Sequence, residues 1–157
     1  MNVIVTPPSN VNVIVTPPPS VNVATIGTQG LQGPPGEGAV NTILVTKIAG
    51  ESIGGGRVAI VQNDLVYYAD STNMLHRHIV IGITKHASTA GSNITIQTFG
   101  IMSEPTWNWI VGEPIFVGTN GLLTQTPPSA GFSLIIAKAI TPTDIFISIE
   151  QPIIIGG

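Results

Sequence analysis

The chain has 157 residues, enough for one domain with a proper core plus appendages, and only 8% of them are charged, about a third of the usual share. The net charge of −3 comes from 8 acids and 5 bases spread thinly, with no basic cluster and no interleaved aromatics to track a phosphate backbone, so no nucleic-acid partner is expected. There is no cysteine, which excludes disulfides, thiolate metal sites and a thiol nucleophile.

Val, Ile and Thr together make up more than a third of the chain, a balance that belongs to β-structure and argues against long helices. So few charges leave little to cover a surface, and much of it is expected to be buried against other subunits. The start, Met1 to Pro8, lacks the basic and long apolar regions of a secretion signal, and no apolar run reaches spanning length. Synthesis in a cytoplasm, with no membrane partner, is therefore expected.

Residues 1–26 carry a ten-residue repeat: Asn2-Val-Ile-Val-Thr-Pro-Pro-Ser9, Asn12-Val-Ile-Val-Thr-Pro-Pro-Pro-Ser20 and a decayed Asn22-Val-Ala-Thr25. Each unit is a β-branched run closed by prolines that fix φ and donate no hydrogen bond, so neighbouring units cannot merge into one long strand. Ten residues with so few apolar side chains cannot bury themselves. The segment reads as an extended arm that docks by β-augmentation through Val3, Ile4, Val5, Val13, Ile14 and Val15, with a disordered low-complexity tail as the plainer alternative.

Residues 27–38 place glycine at every third position in Gly27-Thr-Gln-Gly30-Leu-Gln-Gly33-Pro-Pro-Gly36 before the register fails at Gly38. That spacing is collagen's, in which three polyproline II chains meet along an axis that only glycine fits, and Pro34-Pro35 favours the same helix. A flexible Gly/Pro linker is the competing reading. A few triplets cannot nucleate a triple helix unaided, so a neck built on Gly27, Gly30, Gly33, Pro34, Pro35 and Gly36 requires trimeric structure on at least one side of it.

Residues 39–157 read as strand, turn, strand, with no helical period. Val58-Ala-Ile-Val61 and Leu65-Val-Tyr-Tyr68 flank Asn63-Asp64 as a hairpin. Ile79 to Thr84 is a continuous apolar run suited to a strand buried on both faces. In Ile94-Thr-Ile-Gln-Thr-Phe99 the period is two. Ile115 to Val117 and Leu122 to Gln125 are joined through Gly118-Thr-Asn-Gly121, and Phe132 to Ile140 and Ile145 to Ile149 through Thr141-Pro-Thr-Asp144. Seven or eight short strands of this kind make an all-β body, a small barrel or sandwich. The terminal Ile153-Ile-Ile155 is a liability unless covered, and a neighbouring subunit is its simplest cover.

Several of these stretches together, Gly56 to Asp70, Ile79 to Ile83, Trp107 to Pro128 and Ile145 to Ile149, resemble the small β-barrel domain of tailed-phage capsid decoration (cement) proteins. The order is shared: a hairpin ending in Ala-Asp, a strand through Gly, a Trp segment, then Gly-x-Pro-hydrophobic-x-x-Gly-x-x-Gly-Leu-Leu-Thr. The resemblance spans about residues 40–150. It implies a β-tulip-like barrel and trimers, or other ring-like clusters, seated on a capsid lattice; the leading expectation is a homotrimer on the major capsid protein, located in the virion and without enzymatic activity. The repeat arm and collagen-like neck depart from compact cement proteins and are closer to a head fibre. A tail fibre or receptor-binding adhesin recognising host surface glycans is the second reading.

Candidate chemistry is sparse. His76 and His78 in Leu75-His-Arg-His78 would share one face if they lay in a strand, and a threefold axis would gather six imidazoles, but a polar loop is the plainer reading. Asp64 and Asp70 flank one strand, yet nothing places them on one cleft. Gly54-Gly-Gly56 lacks the Lys-Ser/Thr of a phosphate loop and reads as a turn. Trp107 and Trp109 could stack on sugar rings, although burial in the core or at a subunit boundary is the default. No catalytic residue, metal site or cofactor is assigned.

Overall fold

Alternate side chains along the central strands enter two different apolar cores, and that alternation builds the fold. In the computed structural model, residues 41–156 are described. Eleven strands and no α-helix are found among them. The docking arm and the glycine triplets lie outside the described residues.

Strands β1 (Ile43–Ala49), β2 (Val58–Gln62), β3 (Leu65–Tyr68), β4 (Val80–Thr84) and the long β5 (Asn93–Ser103) form a closed barrel. β1 pairs in parallel with β3 and antiparallel with β5, so the order β1-β3-β2-β4-β5 returns to its start. Closure leaves the barrel without a free edge. The β2–β3 hairpin turns through Asn63 and Asp64, both at positive φ (51° and 65°), which is the geometry of a two-residue type I′ turn. Beyond residue 99, β5 leaves the barrel and pairs with β10 (Asp144–Ile147), opening a second sheet in the order β5-β10-β9-β6-β7. Its other members are β6 (Pro114–Val117), β7 (Leu123–Thr124) and β9 (Ile135–Ala139). A separate ribbon joins β8 (Gly131–Ser133) to β11 (Ile153–Ile155).

Inside the barrel lie Ala49, Ala59, Val66, Ile94 and Ile96. Between the barrel and the second sheet lies a larger core that includes Val58, Ile60, Ile83, Ile115, Phe132, Ile145 and Ile147. β2 shows the division most clearly: Val58 and Ile60 enter the large core, while Ala59 enters the small one. Each fully buried isoleucine stabilises by roughly 1.5–3 kcal/mol over an exposed one.

The body is thus all-β and a barrel, as the composition suggests, with three differences in detail. More strands are present than the seven or eight expected, because β1 and β11 also pair. The run 132–140 is not one strand: it breaks at Leu134, β8 pairing with β11 and β9 with β6 and β10. The segment around His76 and His78 is a 3-10 turn (His76–His78), so these side chains do not share a strand face.

Gly82, at φ +152°, is where β4 meets β5 most closely, and a Cβ there would overlap the Gln97 carbonyl oxygen. Both the backbone angle and the contact exclude a side chain. Gly82→Ala is therefore expected to destabilise the protein by about 3 kcal/mol, read as a lower urea midpoint with an unchanged slope. A midpoint equal to the parent's would refute this account of the strand crossing.

Candidate interaction surfaces

His76 is fixed by its neighbours. Its Nδ1 accepts the Asp70 backbone N–H at 3.1 Å, and its Nε2 lies 3.1 Å from the Asn73 side-chain amide. His78 Nε2 accepts from Arg77 Nε at 3.1 Å. No group of three or more potential metal ligands occurs among the described residues. Asp64 and Asp70 lie beyond opposite ends of β3. The first is paired with Lys47, and the second holds its own turn by accepting from the Thr72 N–H (2.9 Å) and hydroxyl (2.6 Å). Burial raises the Asp70 pKa, but the bonds from Thr72 and Asn120 and the nearby His76 outweigh it, and the net shift is downward. The structure brings neither the two histidines nor the two aspartates into a shared site.

The triglycine segment is a turn, and it is pinned. Gly54 N–H donates to Tyr68 Oη at 2.8 Å, and the fully buried Thr84 hydroxyl donates to the Gly54 carbonyl at 2.7 Å while accepting from Arg57 N–H at 3.0 Å. Gly56 takes φ +67° beside Trp107, whose ring lies 3.8 Å from where a Cβ would stand. Arg57 follows, its guanidinium 5.9 Å from the centre of the Tyr68 ring and within 3.3 Å of the Asn120 carbonyl.

Opposite this turn runs the Trp segment. Trp107 N–H donates to the Glu104 carbonyl (3.0 Å), and Trp109 N–H to the Pro142 carbonyl (2.9 Å). The Gln125 side chain bonds both the N–H and the carbonyl of Ile110 (3.0 and 2.9 Å). The two indoles stand 5.7 Å apart, tilted by 59°. With Gly55, Gly56, Arg57, Glu104, Leu122 and Leu123 they line a groove of about 330 Å³. Both rings also pack on the large core, so core burial and a groove wall are combined in the same residues. The sequence shows the Trp pair, but nothing local to it points to Gly55–Arg57 or Leu122–Leu123 as its partners.

Two further surfaces stand out. On β1, Ile43, Leu44 and Ile48 are 53%, 50% and 38% exposed. In β11 the backbone is paired with β8, yet Ile153 and Ile154 remain 68% and 60% exposed. A second concavity of about 620 Å³ is lined by hydroxyls from Ser52, Ser88, Thr89 and Ser92 and holds no charged side chain. No protein-family model matches this chain, and no curated protein matches it.

Burial holds the His76 pKa below its ordinary value, with the Asp70 carboxylate opposing the shift. A depressed folded-state pKa means that stability from this group is complete above about pH 6.5 and is lost as pH falls toward the folded value. Protonating Nδ1 would also break its bond from Asp70 N–H. Urea denaturation at steps from pH 8 to pH 5 is expected to show this decline, and His76→Gln to flatten it. A parent protein that gained stability over that range would contradict the assignment.

Proposed function

We propose that the chain is a structural, non-enzymatic virion protein, a capsid decoration (cement) or head-fibre protein of a tailed phage. It acts as a homotrimer, with the repeat arm docked on the major capsid protein, the glycine triplets as neck, and the β-rich body displayed.

The observation that carries this reading is the largely apolar outer face of β1, on which only Thr46 is polar. Leu44 and Ile48 lie on one face of the first strand after the glycine triplets, with Ile43 beside them, all exposed. Removing such side chains from water against two other copies stabilises by roughly 25 cal/mol per Å² buried, and a symmetric assembly would hold three β1 strands close together. The carboxylates support a structural role too. Asp64 is in an ion pair, and Asp70 and Asp144 are tied to threonines of their own turns. This dispersal is unlike the convergent acid pair of a glycan hydrolase.

Deleting residues 1–26 tests the arm. The truncated protein is expected to keep its β-sheet circular dichroism while its retention on phage heads falls by more than about tenfold in co-sedimentation, because strand addition supplies the attachment. Undiminished retention would show that the arm is not the anchor.

A further inference from the structure

The Trp groove combines groups that a merely structural crevice does not require. Its volume of about 330 Å³ falls at the small end of small-molecule sites, roughly 300–1,000 Å³. Two indoles supply apolar area, while Arg57 and Glu104 supply one charge of each sign. Glu104 uses one carboxylate oxygen, Oε1, to accept from Thr106 N–H and hydroxyl (3.2 and 3.1 Å), which fixes the plane of the group and leaves Oε2 as a free acceptor. Trp109 Nε1 is the one buried side-chain polar atom without a partner among the described residues, and it belongs to a ring that lines this groove.

These features favour one ligand chemistry over an anion or a purely apolar group. A phosphate or carboxylate would meet Arg57 but also Glu104, so a net anion gains little. A purely apolar ligand, or a hydrophobic peptide side chain, would strip water from both charged groups without replacing their hydrogen bonds. A molecule with an apolar face and a rim of hydroxyls satisfies both sets, stacking on the indoles while its hydroxyls donate to Glu104 and accept from Arg57.

We propose that the groove formed by Trp107, Trp109, Arg57 and Glu104 is a binding site for a neutral saccharide. The site does not depend on the virion reading. Binding is expected to be weak, with Kd on the order of 1 mM, because the groove is open and one or two rings offer few contacts. Gly56 contributes by placing no Cβ beside the Trp107 ring, which lies 3.8 Å from where one would stand, and Thr84 and Tyr68 keep that turn in place.

The chain contains two tryptophans, Trp107 and Trp109, so its entire indole emission reports on this groove. The full chain is titrated with maltotriose, cellotriose, mannotriose and chitotriose, with glycerol as the osmotic control. Saturable quenching or a spectral shift with at least one trisaccharide and none with glycerol is expected. Glu104→Gln keeps the acceptor for Thr106 and removes the charge, and should weaken binding by about threefold to tenfold. Trp107→Phe should weaken it at least as much. If no trisaccharide gives a saturable change, the proposal fails. It also fails if both variants bind as the parent does, or if emission follows protein concentration instead of sugar, which would mean that a second copy covers the groove.

Discussion

Strand β5 is obliged to serve two cores in succession, and the remaining strands are arranged around that obligation. Its first half closes the barrel against β1 and β4, placing Ile94 and Ile96 inside. Its second half pairs with β10 and puts Met102 into the larger core. The change of role occurs at Gly100, at φ +98°, where a Cβ would stand 2.8 Å from the Asn41 carbonyl. Gln97, fully buried, spans the bend by donating its amide to the Ile101 carbonyl at 2.8 Å while accepting from Lys85 at 3.3 Å. A slip of one residue would send the isoleucines out and Gln97 into an apolar interior, so the register is strongly held.

Barrel closure has a consequence for surfaces. Because β1–β5 pairing removes the free edges there, what the barrel offers outward is side chains, and on β1 those are Leu44 and Ile48 with Thr46 between them. The second sheet is open and ends in the two-residue β7, a short strand of the sort that resists edge-to-edge association. On its far face Phe99 and Phe146 meet edge to face at 5.2 Å. Among the described residues, the surfaces open to recognition therefore include the β1 face, the isoleucines of β11, the exposed Ile110–Val111 pair and the Trp groove.

Much of this was legible in the residues because the signals were local. Asn63-Asp64 between two β-branched runs specified a hairpin, and the period of two in 94–99 separated Ile94 and Ile96 from their neighbours. What escaped was set by distant contacts. Nothing near Leu134 marks the break between β8 and β9, since it arises from one run being shared by two different partners. The His76–His78 turn was open to a strand reading because spacing by two cannot distinguish a strand from a loop. The groove assembles three segments remote in sequence, and only its tryptophans announce themselves. Gln97 looked like the polar half of an alternating strand, whereas it is fully buried and held by Lys85 and by the Ile101 carbonyl of its own strand.

In the proposed homotrimer, three copies sharing one axis would give the glycine spacing, the exposed Leu44 and Ile48 of β1 and the scarcity of charge a common use. Sedimentation equilibrium on the full chain measures this directly. The account predicts a single species of three times the chain mass, and a loss of that species or of its thermal stability when Gly30→Ala and Gly33→Ala are introduced together. A stable monomer at micromolar and higher concentration, indifferent to both substitutions, would contradict it.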